Sequence, residues 1–421
     1  MTCAPLLALA PARRSGQIRA IASVCSAHPD VIGAALAFGR MVGGPMLIEA
    51  TCNQVNQDGG YTGMTPADFR SFVLAIAAVE GFDPANLMLG GDHLGPNPWT
   101  YLTAIAAMEK ARAMVAAYVQ AGFGKIHLDA SMACADDPTP LPDATIAARN
   151  AQLAAVAEAH QGAEAPVYVI GTEVPIPGGA LEEVMHLAVT TPHAAATTVA
   201  LHSAAFAGAG IAGAFARVVG LVVQPGVEFG NENVVAYRPQ DAQALSRSQS
   251  DLPMVFEAHS TDYQTPQALA ELVQDGFGIL KVGPGLTFAL REALYALDQV
   301  ADVLYPRRGP GLRDRMEMVM LANPKYWEKY YPGDTAHQQV QRHFSYSDRI
   351  RYYWADPVAT AAVADLMARF DGVDIPQPLI SQFFGQAYPD VMTRALAPTA
   401  QALLRDSVTR VLRVYHAACV G

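Results

Sequence analysis

Eight short apolar runs, rich in β-branched residues, recur along the chain and nearly all end in polar residues. They are residues 18–24 (IRAIASV), 45–51 (PMLIEAT), 87–96 (LMLGGDHLGP), 125–131 (KIHLDAS), 167–174 (VYVIGTEV), 218–224 (VVGLVVQ), 253–260 (PMVFEAHS) and 278–284 (GILKVGP). Runs of this length and composition predict buried strands. Each is followed by Ala-rich sequence of helical period, long enough to return the chain to the start of a parallel neighbour. This is the rhythm of an α/β fold of the (β/α)8 TIM-barrel type. A doubly wound open sheet would use the same strands, but the count of eight and the repeated polar endings favour the barrel. In a barrel the C-terminal strand ends share one face, so Glu49, Asp92, His93, Asp129, Glu173, Gln224, His259 and Lys281 are expected to converge on one mouth.

The composition changes at Pro306, where PRRGPG begins. The expected division is a barrel over 1–308 and a mainly helical extension over 309–421, packed on it, with helical stretches at 312–321, 358–370 and 399–415. The extension also carries SYSDRIRYYW (345–354), whose aromatic and Arg content suits packing, or leaning over the mouth. At 421 residues and 51% hydrophobic, the chain exceeds the ~250 residues of a bare barrel, in keeping with a second element.

A net charge of −11 and the lack of any Lys/Arg run argue against a nucleic-acid surface, which needs a dense cationic face. A small dianion needs less: one Lys and a few backbone N–H groups. The five cysteines (Cys3, Cys25, Cys52, Cys134, Cys419) are odd in number and form no CxxC pair, as suits reduced thiols in a cytoplasmic protein. The apolar start APLLALAPA has no basic segment before it and Arg13 and Arg14 after it, which predicts an amphipathic leading helix and no secretion signal; no segment approaches a membrane span.

The chemistry is expected at the strand ends. Asp92-His93 follows Gly90-Gly91, which permit close backbone approach; His93 is a candidate metal ligand and Asp92 an acid/base beside it. Alternation places Glu257 and His259 on one face, bringing a second imidazole into the mouth. Asp129 reads equally as a site acid/base or a turn cap, and His127, one layer deeper on the same face, reads as core. Glu173, at the end of an apolar strand, is costly unless paired, metal-bound or wet, and is a candidate for both catalysis and metal binding. Gln224 and Glu228 either reach a metal or close their loop. For substrate, Glu49, Asn53 and Gln54 form a polar group suited to hydroxyls, while Lys281 and the turn at Gly283 suit phosphate. Gly208, Gly210 and Gly213 match GxGxxG but follow a helix and precede a strand, the reverse of a nucleotide fingerprint, and no GxxxxGK[ST] exists.

At GGDHLGPN, IEATCNQVNQDGGYTG, KIHLDAS, GTEVPIPGG, VVQPGVEF, EAHSTDYQT, LKVGP and SDRIRYYW, the sequence resembles the family of the non-catalytic subunit of class II tagatose-bisphosphate aldolase, from about Ser23 to the C-terminus. Some members of that family are assigned as tagatose 6-phosphate 4-epimerases. The family is similar in turn to the metal-dependent class II aldolases, which are zinc barrels. The resemblance implies a divalent metal (Zn, Mn or Mg) on His93, His259 and Glu173, with Asp92, Asp129 and Glu173 in catalysis. It departs at strand six, where the aldolases present another His and this chain has Gln224-Pro225-Gly226, so Glu173, Gln224 or Glu228 would complete the ligand set. Two readings follow. One is a cytoplasmic C4 epimerase of a ketose or ketose phosphate, acting by cleavage and re-formation of C3–C4. The other is a silent barrel that stabilises a class II aldolase catalytic subunit. Assembly as a homo-oligomer is compatible with both.

Overall fold

The computed structural model of the chain describes residues 2–172, 187–306 and 309–420. Its strands β1 (Ile21–Cys25), β2 (Met46–Thr51), β3 (Leu87–Leu94), β4 (Lys125–Leu128), β5 (Val167–Ile170), β6 (Val218–Val222), β7 (Val255–Ala258) and β8 (Phe277–Val282) are parallel and close into a barrel. Closure is made by β8 against β1, with Ser23 opposite Lys281 and Val24 opposite Val282. The fold is a TIM barrel carrying a helical C-terminal extension.

Local chemistry starts the return helices. Thr65, Thr191 and Thr265 cap the helices Pro66–Glu80, Pro192–Gly208 and Pro266–Gln274, each hydroxyl accepting the N–H three residues on, and each is followed by a proline that needs no helical N–H partner. His28 is likewise a cap: its Nδ1 accepts from the N–H of Asp30 at the start of Pro29–Val42. The helix Pro192–Gly208 runs through a turn into the short segment Ala212–Arg217 and then β6, so the three glycines there leave a helix and do not open one.

Two apolar layers hold the barrel. Outside, Ile48, Leu89, Ile126, Phe256 and Leu280 pack against the helices. Inside, at the N-terminal end, Leu47, Met88, Val167, Val169, Val255 and Ile279 meet Leu6 and Leu9 of the leading helices Ala4–Leu7 and Leu9–Arg14. These helices plug the barrel from below, and each fully buried Leu contributes about 1.5–3 kcal/mol. The plug leaves the opposite end as the open one.

The extension closes the ring and reaches the mouth. Its last helix, Ala400–Val420, packs on Pro29–Val42, Pro266–Gln274 and Pro284–Leu304. There Tyr415 donates 2.7 Å to the carbonyl of Thr261, just beyond β7. The short helix Arg349–Tyr353 is brought to the C-terminal end of the barrel, so SDRIRYYW both packs and borders the mouth. No helix among the described residues is long and apolar enough to cross a membrane.

Candidate metal centre and active site

Beneath the mouth the barrel interior is ionic. Lys125 is fully buried, with Nζ 2.7 Å from Glu49 Oε1 and 2.8 Å from Glu257 Oε2. Lys281 bonds Glu49 and lies 2.9 Å from Asp92 Oδ1. Burial alone would lower both ammonium pKa values, but the carboxylates outweigh it and raise them. Lys125 neutralises the fully buried carboxylates Glu49 and Glu257, while Lys281 links Glu49 in the floor to Asp92 at the cavity. Glu49, expected to meet substrate, is therefore part of the floor and does not border the mouth cavity.

Above this floor three imidazoles meet. The ring centres of His93 and His127 are 4.9 Å apart, those of His93 and His259 4.9 Å, and those of His127 and His259 5.2 Å. Asp92 joins them, so that one ligand atom from each of Asp92, His93, His127 and His259 lies within 4.8 Å of the others, all buried. A strand's pleat would send the neighbours Asp92 and His93 to opposite faces. Here His93 takes a left-handed φ of 51° and the pairing of β3 with β4 shifts between Gly91 and Leu94, which turns both side chains inward. Such a conformation in a non-Gly residue costs on the order of 1–3 kcal/mol and is held by its surroundings. Gly95 is part of that hold, because a Cβ there would lie 1.6 Å from the carbonyl oxygen of Asp129.

Hydrogen bonds set the lone pairs. His93 Nδ1 is 2.7 Å from Asp129 Oδ2, so with the proton on Nδ1 the Nε2 lone pair is free to coordinate. Both Ser131 groups, N–H and Oγ–H, donate to the other oxygen of Asp129, at 3.0 and 2.6 Å. Asp129 is thus placed to orient His93. His259 Nε2 is 3.0 Å from Glu257 Oε1, which leaves its Nδ1 free in the corresponding tautomer. His127 Nδ1 lies 2.8 Å from Asp92 Oδ1 and 3.1 Å from the backbone N of His93, while its buried Nε2 has no partner among the described residues. With the ring proton on Nδ1 and donated to Asp92, the Nε2 lone pair of His127 is buried, unpaired and open to an ion; with Nδ1 accepting the N–H of His93, Nε2 carries the proton. Three imidazoles and a carboxylate, with His93 and His259 each backed by a carboxylate, make a donor set that fits a divalent transition metal such as Zn.

The electrostatics favour ionised carboxylates and pull two of the imidazoles in opposite directions: burial would lower His93, but Asp92 and Asp129 outweigh it and raise its pKa. Burial opposes ionisation of Asp92, yet His93, Lys281 and His127 hold it well below the usual carboxylate range. Against the same burial penalty, His93 holds Asp129 at about 2. Burial lowers His259 to about 4, leaving it neutral at pH 7.

The expected residues divide as follows. Asp92, His93, His259, Lys281, Gly283, Asn53 and Gln54 border the mouth cavity, with Thr51, Tyr61, Arg351 and Tyr352. Gln224 does not; its Oε1 accepts the N–H groups of Gly226 and Val227 and closes its own loop. Glu228 Oε1 accepts from the N–H of Phe229. Glu173 lies outside the described residues. Gly90 and Gly91 make room for Glu49 and for Leu94 and Tyr118, a packing need in place of the expected ligand approach. The N–H groups of Gly283 and Gly285, expected to hold phosphate, both donate to Asp262 Oδ1, at 2.9 and 2.7 Å, so that cradle is filled from within. His127, read as core, is buried but belongs to the imidazole cluster; its position two residues before Asp129 was the available signal.

The chain matches the family model described as D-tagatose-1,6-bisphosphate aldolase subunit GatZ/KbaZ-like over residues 6–420. It is 54% identical over 415 residues, 97% of each chain, to a D-tagatose 6-phosphate 4-epimerase of Agrobacterium fabrum. It is also similar to the crystal structure of a probable tagatose 6-phosphate kinase from Sinorhizobium meliloti 1021, with a TM-score of 0.89 and 59% identity over 95% of this chain and 100% of that one.

Proposed function

The chain belongs to the D-tagatose-1,6-bisphosphate aldolase subunit GatZ/KbaZ-like family, and from that premise we propose that it is a metal-dependent C4 epimerase interconverting tagatose 6-phosphate and fructose 6-phosphate. The observation that carries this reading is the meeting of His93, His127 and His259 beside Asp92 at the mouth. The 54%-identical relative bears the name of this activity.

The C4 hydrogen is not α to the C2 carbonyl, so enolisation cannot invert C4, whereas breaking and remaking C3–C4 can. His93, His127 and His259 would hold the divalent ion, with Asp129 and Glu257 fixing two of the three rings. Bound there, the ion would supply Lewis-acid polarisation of the C2 carbonyl. Asp92, ionised and bordering the cavity, takes the proton of the C4 hydroxyl. The C4–O electrons then form the aldehyde carbonyl as C3–C4 breaks, and that bond's pair becomes the enediolate of the three-carbon ketone fragment. After the aldehyde turns its other face, the enediolate re-adds and Asp92 returns the proton. The Lys281 ammonium, 2.9 Å from Asp92, helps keep that carboxylate ionised before the proton is taken. Asn53, Gln54 and Thr51 are positioned to take sugar hydroxyls, and the apolar plug below keeps bulk water out from that side.

The second reading, a silent stabilising subunit, drew its support from the missing imidazole on β6. In the proposed reading His127, on β4, supplies the third imidazole that β6 lacks. The test is the protein purified alone, stripped with chelator and reloaded with Zn, Mn or Mg, then given tagatose 6-phosphate. Formation of fructose 6-phosphate supports the epimerase. Silence with all three metals, together with stabilisation of a separate aldolase chain, supports the subunit.

A further inference from the structure

We infer that Arg351, supplied by the C-terminal extension, is the residue that grips the substrate's phosphate; the inference rests on the ketose-phosphate reading above and extends it. Among the described residues the mouth cavity is bordered by two basic side chains besides the imidazoles, Lys281 and Arg351. Lys281 already faces Glu49 and Asp92 and has little charge to offer. The N–H groups at the turn after β8 are held by Asp262. Arg351 differs from both. Among the described residues no carboxylate forms an ion pair with it, although it is only partly exposed.

Its guanidinium is nevertheless held in place. Nη1 donates to the carbonyl of Ser347 and, at 3.0 Å, to that of Asp348; Nη2 is 3.0 Å from the hydroxyl of Tyr352; and the group lies 4.5 Å from the centre of that ring. These bonds use neutral acceptors, and the carboxylates of Asp348 and Asp262 act on the guanidinium only from beyond ion-pair distance. A preorganised guanidinium with no carboxylate at ion-pair distance among the described residues, beside a substrate cavity, has the geometry for bidentate capture of a phosphate.

A second cavity adjoins the first and shares Cys25, Gln54, Tyr61, Gly283 and Arg351 with it. Arg351 therefore stands at the junction, and a ketose whose reacting carbons lie at the imidazoles can extend its C6 end toward the second space. That space is also bordered by Trp354, which is 6% exposed and whose buried Nε1–H has no partner among the described residues. An anchor placed in the extension also explains why the barrel alone does not complete its mouth.

The test compares binding of tagatose 6-phosphate, tagatose and inorganic phosphate by calorimetry to metal-loaded wild type, Arg351→Met and Arg351→Lys. The methionine variant is expected to lose about 30-fold or more in affinity for the phosphorylated sugar, the cost of leaving one partner of a charged contact unmatched. Its weak affinity for tagatose should change little, and lysine should restore part of the loss. If affinity for tagatose 6-phosphate is unchanged in Arg351→Met, and Asp262→Ala alters it instead, the phosphate sits at Gly283 and Gly285 and the inference is wrong. An equal loss for both sugars in both variants would mark Arg351 as structural and also overturn it. Because the readout is binding, its outcome separates from the reaction: phosphate capture through Arg351 without inversion at C4 would remove the epimerase reading and leave the anchor standing.

Discussion

His93 Nδ1 and Asp129 Oδ2 lie 2.7 Å apart, a contact by which a carboxylate that looks catalytic in the sequence would support His93 as a metal ligand in the proposed reading. Replacing Asp129 by Asn changes what Nδ1 meets from an acceptor to a group that also presents an amide donor. The proton then shifts toward Nε2, the nitrogen needed for the ion. Asp129→Asn is expected to fold and to lose about 10–100-fold in metal affinity, the usual cost of removing such a support. Zinc titration with a competing chromophoric chelator checks this; affinity equal to wild type would return Asp129 to an acid/base role.

His127→Ala is expected to lower metal content as much as His93→Ala or His259→Ala, and to abolish epimerisation with it. A buried core histidine would behave differently, losing stability while the folded fraction kept its metal. Metal per chain, measured by plasma emission on protein shown folded by circular dichroism, separates the two.

The ionic floor has its own signature. Lys125→Met leaves Glu49 and Glu257 buried without their shared cation, and destabilisation of about 3–5 kcal/mol is expected. Adding Glu257→Gln should recover part of it, since the stranded charge is then removed. Urea denaturation of the two single variants and the double variant measures the coupling, and strict additivity would mean that the three groups do not share one network.

His202 gives a pH prediction far from the metal cluster. Its Nδ1 donates 2.8 Å to Thr198 and its Nε2 accepts from Asn150, whose Oδ1 takes the N–H of Ala130 beside Asp129. Burial lowers its pKa from 6.5 to about 4. The folded protein thus resists a proton that the unfolded chain binds, and stability is fully present above pH 6.5 and falls as pH drops toward 4. The fall amounts to about 3 kcal/mol at most. His202→Gln should flatten the urea midpoint between pH 7 and 5 relative to wild type; identical slopes would show that His202 takes its proton in the fold.

The strands and their order were legible because a parallel barrel strand is buried on both faces and stands out as a continuous apolar run. The two imidazoles at strand ends were legible for the same reason, since polar residues interrupt those runs at fixed places. Depth was not. His127 and Asp129 share a face, and the pleat says nothing about which of them meets His93 and which meets Asp92. Lys125 stands at the start of its strand, and only the closure that brings Glu49 and Glu257 to it from other strands makes it an interior cation. The filling of the Gly283 turn by Asp262 likewise depends on β7 and β8 being neighbours.

The central claim is that one divalent ion on His93, His127 and His259 is needed to invert C4. Its most direct measurement is fructose 6-phosphate formed from tagatose 6-phosphate by the purified chain, followed against bound metal as chelated protein is reloaded. The expected result is a rate near zero without metal that rises in proportion to occupancy and saturates at one ion per chain. An unchanged rate in protein shown to be metal-free would contradict it.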